Sequence, residues 1–346
     1  MPAADSDFLS ACRCNPVRRT PVWFMRQAGR SLPEFRARRG TNSILEAVRD
    51  PELAAELTCH PVRRYGVDAA ILFSDIMVPY AAIGCGVAVV PGTGPVVDQP
   101  FRYESDLGRL RPLEPETDTP YVLETVRRVV EAVDVPVIGF AGAPFTIASY
   151  LIEGGPSRDF ARTKTLMHSA PGTWFGLVDR LAGIAIASLR SQVDAGARAV
   201  QLFDSWVGAL SRADYERFAL PATRRILDAL ADLAAPRIVF GVGTGELLDL
   251  MADAGADVVG VDWRVPLDHA AARVGNRTAL QGNLDPAICL AGFDAVETAA
   301  RQVLAEGRAA AGHVFNLGHG VLPGTDPEVL RRLVDLVHGT TPGTAG

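Results

Sequence analysis

Residues Ala199–Trp206 read "AVQLFDSW": an almost continuous apolar run, then an aspartate, a serine and a tryptophan with no linker between. A strand covered by helices on both faces has this composition, because neither face needs to meet water. A polar group directly after the last apolar residue marks the end where such a strand presents side chains to a ligand. The pattern repeats along the chain. Val22–Met25 runs into Arg26, Ala69–Phe73 into Ser74 and Asp75, and Val137–Phe140 into "AGAPFT". Arg237–Phe240 and Asp257–Val261 follow, the second leading to Asp262 and Trp263; Thr278–Gln281 leads to Gly282 and Asn283, and His313–Asn316 to His319 between two glycines.

Between these runs lies helical periodicity. It covers Pro51–Tyr65, Thr119–Ala132, Arg158–Ser169, Thr173–Ala195 and Arg212–Leu233, then Glu246–Ala254, Pro266–Val274, Ala295–Ala311 and Pro327–His338. About eight strands alternating with helices predict an α/β fold, a (β/α)8 TIM-type barrel, with its chemistry at the strand ends. An open doubly wound sheet is the competing arrangement, but its dinucleotide fingerprint is absent. "GVGTGELL" at 241–248 spaces its glycines wrongly and reads as a tight turn before a helix. Residues 8–338 read as one domain, with 1–7 and 339–346 as loose termini. The Pro- and Gly-rich stretches 91–100 and 111–120 read as an insertion, since strand–helix alternation resumes after them.

The 346 residues are 48% hydrophobic and 21% charged, with a net charge of −6. That composition supplies a large core and no general basic field, so nucleic acid is not an expected partner. No apolar run approaches the length of a membrane span, and no export signal opens the chain. Five scattered cysteines fit a reduced, cytoplasmic protein. A single lysine, Lys164, stands among 34 basic residues, in a segment that reads as an exposed helical turn. This argues against pyridoxal phosphate and Schiff-base chemistry, which require a lysine nucleophile. Metal motifs such as H-E-x-x-H and paired C-x-x-C are missing, so no metal is expected. "FDSW" is not a nucleophile elbow, and Ser205 reads as a hydrogen-bonding group.

The arginine bias makes an isolated arginine uninformative, but residues 1–40 hold eight, against Asp5, Asp7 and Glu34. Arg26 and Arg30 are spaced to face one side of a helical turn, where like charges repel unless an anion lies between them. Gly29 would let backbone approach that ligand. Arg36 and Arg38 read instead as surface residues paired with acids such as Glu34, Glu46 or Asp50. Asp75 admits two readings: a cap on the following turn, or a carboxylate holding N–H donors and a developing positive charge. His319 likewise reads either as a backbone-bonded cap or as a catalytic group exposed by its glycines.

"FMRQAGRSLPEFR", "ILFSDIMVPY", "VPGTGP", "IGFAGAPFTIASYLIEGG", "LFDSW", "VDW", "QGNLDP" and "FNLGHGVLPGTDPEVL" together span residues 23–330 in order. In this set the chain resembles the uroporphyrinogen decarboxylase family. The resemblance implies a distorted barrel, a cytoplasmic homodimer, no cofactor, and removal of carbon dioxide from the four acetates of uroporphyrinogen III to give coproporphyrinogen III. It places Arg26, Gln27, Ala28, Gly29, Arg30, Arg39, Asp75, Tyr150, Ser205 and His319 at substrate-binding positions. Among them Asp75 is implied to bind the pyrrole N–H groups, and Asp75, Arg26 and His319 are the expected catalytic groups. Ser31 departs from the family pattern, which commonly has an aromatic there, and is expected to alter packing at the cleft mouth. The nearest alternatives are a corrinoid-linked methyltransferase, which shares the barrel but uses zinc, and a non-catalytic tetrapyrrole carrier.

Overall fold

The computed structural model describes residues 6–29, 31–40, 43–90 and 92–340, with only the backbone of Arg36. Seven strands form one parallel sheet: β1 (Ala70–Ile71), β4 (Val137–Gly142), β5 (Ala199–Asp204), β6 (Arg237–Gly241), β7 (Val258–Gly260), β8 (Ala279–Leu284) and β9 (His313–Leu317), adjacent in that order. Ala70 pairs with Val137, Ile138 with Ala199, Val200 with Arg237, Ile238 with Val258, Val258 with Ala279, and Leu280 with His313. Strands β2 (Val87–Val90) and β3 (Gly94–Val97) form a separate antiparallel hairpin. The expected insertion is therefore partly this hairpin, which starts before residue 91.

The first expected strand, Val22–Met25, is reduced to a single bridge between Val22 and Phe315. Trp23 N donates to Phe315 O and Phe315 N to Pro21 O, while Asp68 N donates to Val22 O. The segment thus lies between β9 and the start of β1 and links the two edges of the sheet. It is not a full strand because side chains take its remaining donors. The Asp68 carboxylate accepts from Val22 N (2.8 Å), Gln27 Oε1 from Phe24 N (3.0 Å) and Asn316 Oδ1 from Met25 N (3.1 Å). The second expected strand, Ala69–Phe73, is shortened to two residues for a similar reason: Phe73 N donates to Thr58 Oγ1 (2.9 Å). The result is a barrel distorted at its first two positions and regular elsewhere.

Strand burial explains the apolar runs. All six residues of β8 are buried, and five of six in β5. The covering helices show the complementary spacing, as in Pro327–Gly339, which buries Leu330, Leu333, Val334 and Val337. The expected helix Arg212–Leu233 is interrupted, with a π-turn over Tyr215–Ala219 before Leu220–Ala229. Asp7, counted with the loose start, opens the first helix and accepts from Arg18 N (2.9 Å). At the other end, Gly339 closes the last helix and Thr340 N donates to Val337 O. No helix among the described residues is long and apolar enough to cross a membrane.

Candidate active site

Asp75, Ser205, Asp262 and His319 follow the C-terminal ends of β1, β5, β7 and β9, and the Arg26 charge acts on Asp75, Tyr150 and His319. Arg26 occupies a turn closed by Gln27 N donating to Phe24 O, with φ of 59°. A non-glycine residue in this left-handed region carries strain of about 1–2 kcal/mol, and such strain concentrates at ligand sites. The segment is a turn and bend, not the helical turn expected. Gly29 serves close packing: a Cβ there would stand 2.4 Å from the Arg26 carbonyl. Arg30 lies outside the described residues.

The glycines around His319 have separate tasks. A Cβ on Gly320 would meet Arg26 Cδ at 2.5 Å, so the Arg26 side chain lies across that glycine. A Cβ on Gly318 would meet Trp263 N at 2.3 Å, so this backbone rests against the segment that follows β7. His319 is half-buried rather than exposed, with the Phe240 and Trp263 rings 6.3 and 6.5 Å from its own. Its Nδ1 accepts from Gly320 N (2.6 Å), which leaves the hydrogen of the neutral ring on Nε2 as a donor. Burial, with the charges of Arg26 and Arg264, lowers its pKa from 6.5 to about 4.

The ring of His319 is therefore neutral at pH 7, and its proton resonances should titrate with a midpoint near 4 by NMR; a midpoint at 6.5 would contradict this packing. The sign for stability follows. Between pH 6.5 and 4 the unfolded chain takes up a proton here and the folded one does not, so acidification over this window destabilises the fold. His313, half-buried with Nε2 against Gly282 O (3.0 Å), acts in the same direction, its pKa also lowered to about 4 by desolvation.

Asp75 takes the first of its two expected roles. One oxygen accepts from Met77 N (2.9 Å) and caps the turn that follows. Burial raises its pKa, while that hydrogen bond and the charge of Arg26 work against the rise. Tyr150 stands on helix Pro144–Glu153, its pKa pushed up to about 12 by burial and the Asp75 charge, with Arg26 opposing. Asp75, Arg26 and Tyr150 thus share one electrostatic neighbourhood. The Tyr150 ring packs on Trp206 at 3.9 Å between centroids. Ser205 is half-buried at the end of β5.

The other expected residues are placed differently. Gln27 is wholly buried: its side chain accepts from Phe24 N and donates to Ala69 O (3.0 Å), and its backbone N–H is taken by Phe24 O, so its expected place at the substrate is a structural one. Ala28 is half-buried and packs on the core. Arg39 lies over Phe35, whose ring meets Phe73 beside Ser74 and Asp75, and its Nε is buried without a partner among the described residues. Arg38 is a surface ion pair as expected, but with Glu56 (2.6 Å); Glu34 pairs with Arg64 instead. Ser31 is buried rather than at a cleft mouth. No group of three His, Cys, Asp or Glu side chains among the described residues could hold a metal ion.

Three supporting residues were not singled out for a role. Asp204, buried, accepts from Thr146 Oγ1 (2.7 Å) and Thr146 N (3.2 Å) at the start of the Tyr150 helix, and Thr146 Oγ1 accepts from Trp206 N (3.2 Å). Burial pushes the Asp204 carboxyl up to about 7. Asp262 accepts from Gly243 N (2.5 Å) and from Arg264, N and Nη1. The signal for Asp204 and Asp262 was their position directly after apolar runs; Arg264 was hidden by the arginine bias.

The family model for uroporphyrinogen decarboxylase matches residues 3–340. The uroporphyrinogen decarboxylase of Salinispora tropica is 60% identical, over 98% of this chain and 91% of that one. That of Streptomyces coelicolor is also 60% identical, over 97% and 95%. Among solved structures, a methyltransferase from Methanosarcina mazei superposes with a TM-score of 0.76 at 21% identity, over 96% of this chain and 97% of that one. This last likeness concerns the fold alone.

Proposed function

The chain belongs to the uroporphyrinogen decarboxylase family, and from that premise we propose how its own residues carry out the reaction. The activity is that of a carboxy-lyase, converting the four acetates of uroporphyrinogen to methyl groups. The carrying observation is the proximity of one half-buried carboxylate, Asp75, to one strained arginine, Arg26, at the strand ends of an acidic protein.

The substrate brings eight carboxylates and a ring of four pyrrole N–H groups. Protonation of a pyrrole carbon beside the acetate-bearing position makes the ring an iminium-like cation. The bond between the acetate methylene and its carboxylate then breaks, its electron pair enters the ring, and carbon dioxide leaves. Protonation of the exocyclic carbon and loss of the added ring proton give the methylpyrrole. The substrate supplies its own electron sink, so the protein's tasks are orientation and charge stabilisation.

Asp75 accepts the pyrrole N–H groups on the oxygen not committed to Met77 and stands against the ring's positive charge. Arg26 fixes the reacting acetate beside it, and Arg30 and Arg39 take further carboxylates. His319, neutral, donates from Nε2, while Tyr150 and Ser205 complete the rim. Each bound carboxylate near His319 restores some of its basicity, so the imidazole is a better base in the complex than in the free protein. The protein acts as a cytoplasmic homodimer in this reading.

The test is anaerobic incubation of purified protein with uroporphyrinogen and no additive, resolved by chromatography. Seven-, six-, five- and four-carboxyl porphyrinogens should appear in turn, and light scattering should give twice the 36.8 kDa chain mass. Unchanged substrate, restored to turnover only by a metal or cofactor, would overturn the mechanism. A single-chain mass with full activity would overturn the dimer alone.

A further inference from the structure

The segment after β7 holds a second guanidinium at the same rim. Asp262 is 2% exposed and lies on a backbone that touches Gly318, the residue before His319. Its carboxylate accepts from Arg264 N (3.1 Å) and pairs with Arg264 Nη1. The Arg264 guanidinium also lies over the Trp263 ring, 4.0 Å from its centroid. A buried acid on one side and an indole face on the other fix a side chain that is still 51% exposed. Among the described residues, Nε and Nη2 make no hydrogen bond, which leaves one planar edge of the fork for a ligand. Arg264 also joins Arg26 in depressing the basicity of His319, so both charges reach the same imidazole.

An exposed arginine held by a buried acid has a structural explanation: it neutralises Asp262. That explanation does not account for the guanidinium's place beside His319, at the rim where the substrate's carboxylates must lie. A fork whose rotamers are already restricted loses little entropy on binding a carboxylate, and its planar donors match two oxygens at once. We propose that Arg264 is a carboxylate-binding residue that grips one side-chain carboxylate of the porphyrinogen next to His319. The proposal deepens the functional reading and rests on the ring occupying the cleft between Asp75 and His319.

The test is steady-state kinetics with uroporphyrinogen. Arg264→Ala should raise KM about tenfold with kcat within about twofold, a loss of about 1.4 kcal/mol in binding. The shift should shrink as salt is added. Arg264→Lys, which keeps the charge but not the fork, should fall between wild type and alanine. Because Arg264→Ala leaves Asp262 buried without its cation, the double variant Asp262→Asn/Arg264→Ala removes that penalty. If Arg264 only steadies Asp262, the double variant returns KM to the wild-type value and the proposal fails; a KM that stays raised supports it. Arg301→Ala, an exposed pair with Glu297 on a covering helix, is the control. Arg26→Ala separates the two readings. If it cripples the enzyme while Arg264→Ala leaves KM unchanged, the Arg264 contact alone is wrong; if neither variant has an effect, the placement of the substrate is wrong.

Discussion

Asp75→Asn should lower kcat by about 10²–10³ while the protein still binds its substrate. Asparagine keeps the size of the side chain, and its Oδ1 still accepts from Met77 N, so the turn after β1 stays capped. The negative charge is lost, and the group turned to the ring becomes an amide NH2, which cannot accept the pyrrole N–H groups, while the arginine contacts to the carboxylates remain. A unit charge about 4 Å from the ring's developing cation is worth about 4 kcal/mol at an effective dielectric of 20, enough for a loss of this size. Stability should move in the opposite direction or not at all. The folded pKa of Asp75 is raised by burial, so its ionisation costs stability as pH rises above the unfolded value. Removing the ionisation removes that cost. Turnover measured beside thermal unfolding separates the two effects, and a kcat within threefold of wild type would refute the role given to Asp75. The acid limb of kcat/KM, which this carboxylate should set above the usual carboxylate range, should vanish in the variant.

Gly318→Ala should be the more damaging of the two glycine changes around His319. Its Cβ would stand 2.3 Å from Trp263 N and 3.0 Å from the Trp263 Cα and the Asp262 carbonyl carbon. All three are backbone atoms and cannot rotate aside, so the loop carrying His319 must separate from the segment after β7. Overpacking of this kind costs about 1–3 kcal/mol, which lowers Tm by at least a few degrees. It also moves His319 away from Asp262 and Arg264, so kcat/KM should fall with stability. Gly320→Ala meets Arg26 Cδ instead, part of a flexible side chain. It should leave Tm nearly unchanged and impair activity by displacing the guanidinium. Calorimetry and kinetics on the pair distinguish a steric wedge between loops from a shifted arginine. A Gly318→Ala protein melting within a degree of wild type would show that the loops are not in contact.

The sequence was most legible where backbone bonds to backbone. Regular strands such as β5 and β8 announced themselves by apolar composition, because burial on both faces leaves no other choice. At Val22–Met25 the composition was equally strand-like, yet Asp68, Gln27 and Asn316 took the donors that a strand would have shared. Those acceptors lie up to 291 residues away in the chain, beyond any local pattern. Gln27 shows the same limit: it sits in a ligand-binding motif, but its side chain spans Phe24 N and Ala69 O.

Residue order alone determined the barrel class, the family and the strand-end groups, since each follows from local alternation or from motifs that a short window contains. Tertiary structure alone decided which groups share a field. It set the Arg26 side chain across Gly320, packed the half-buried His319 against two rings so that its basicity falls, and placed Arg264 near enough to lower it further. Charge and desolvation act through space, and the chain brings these residues together only when the sheet curls.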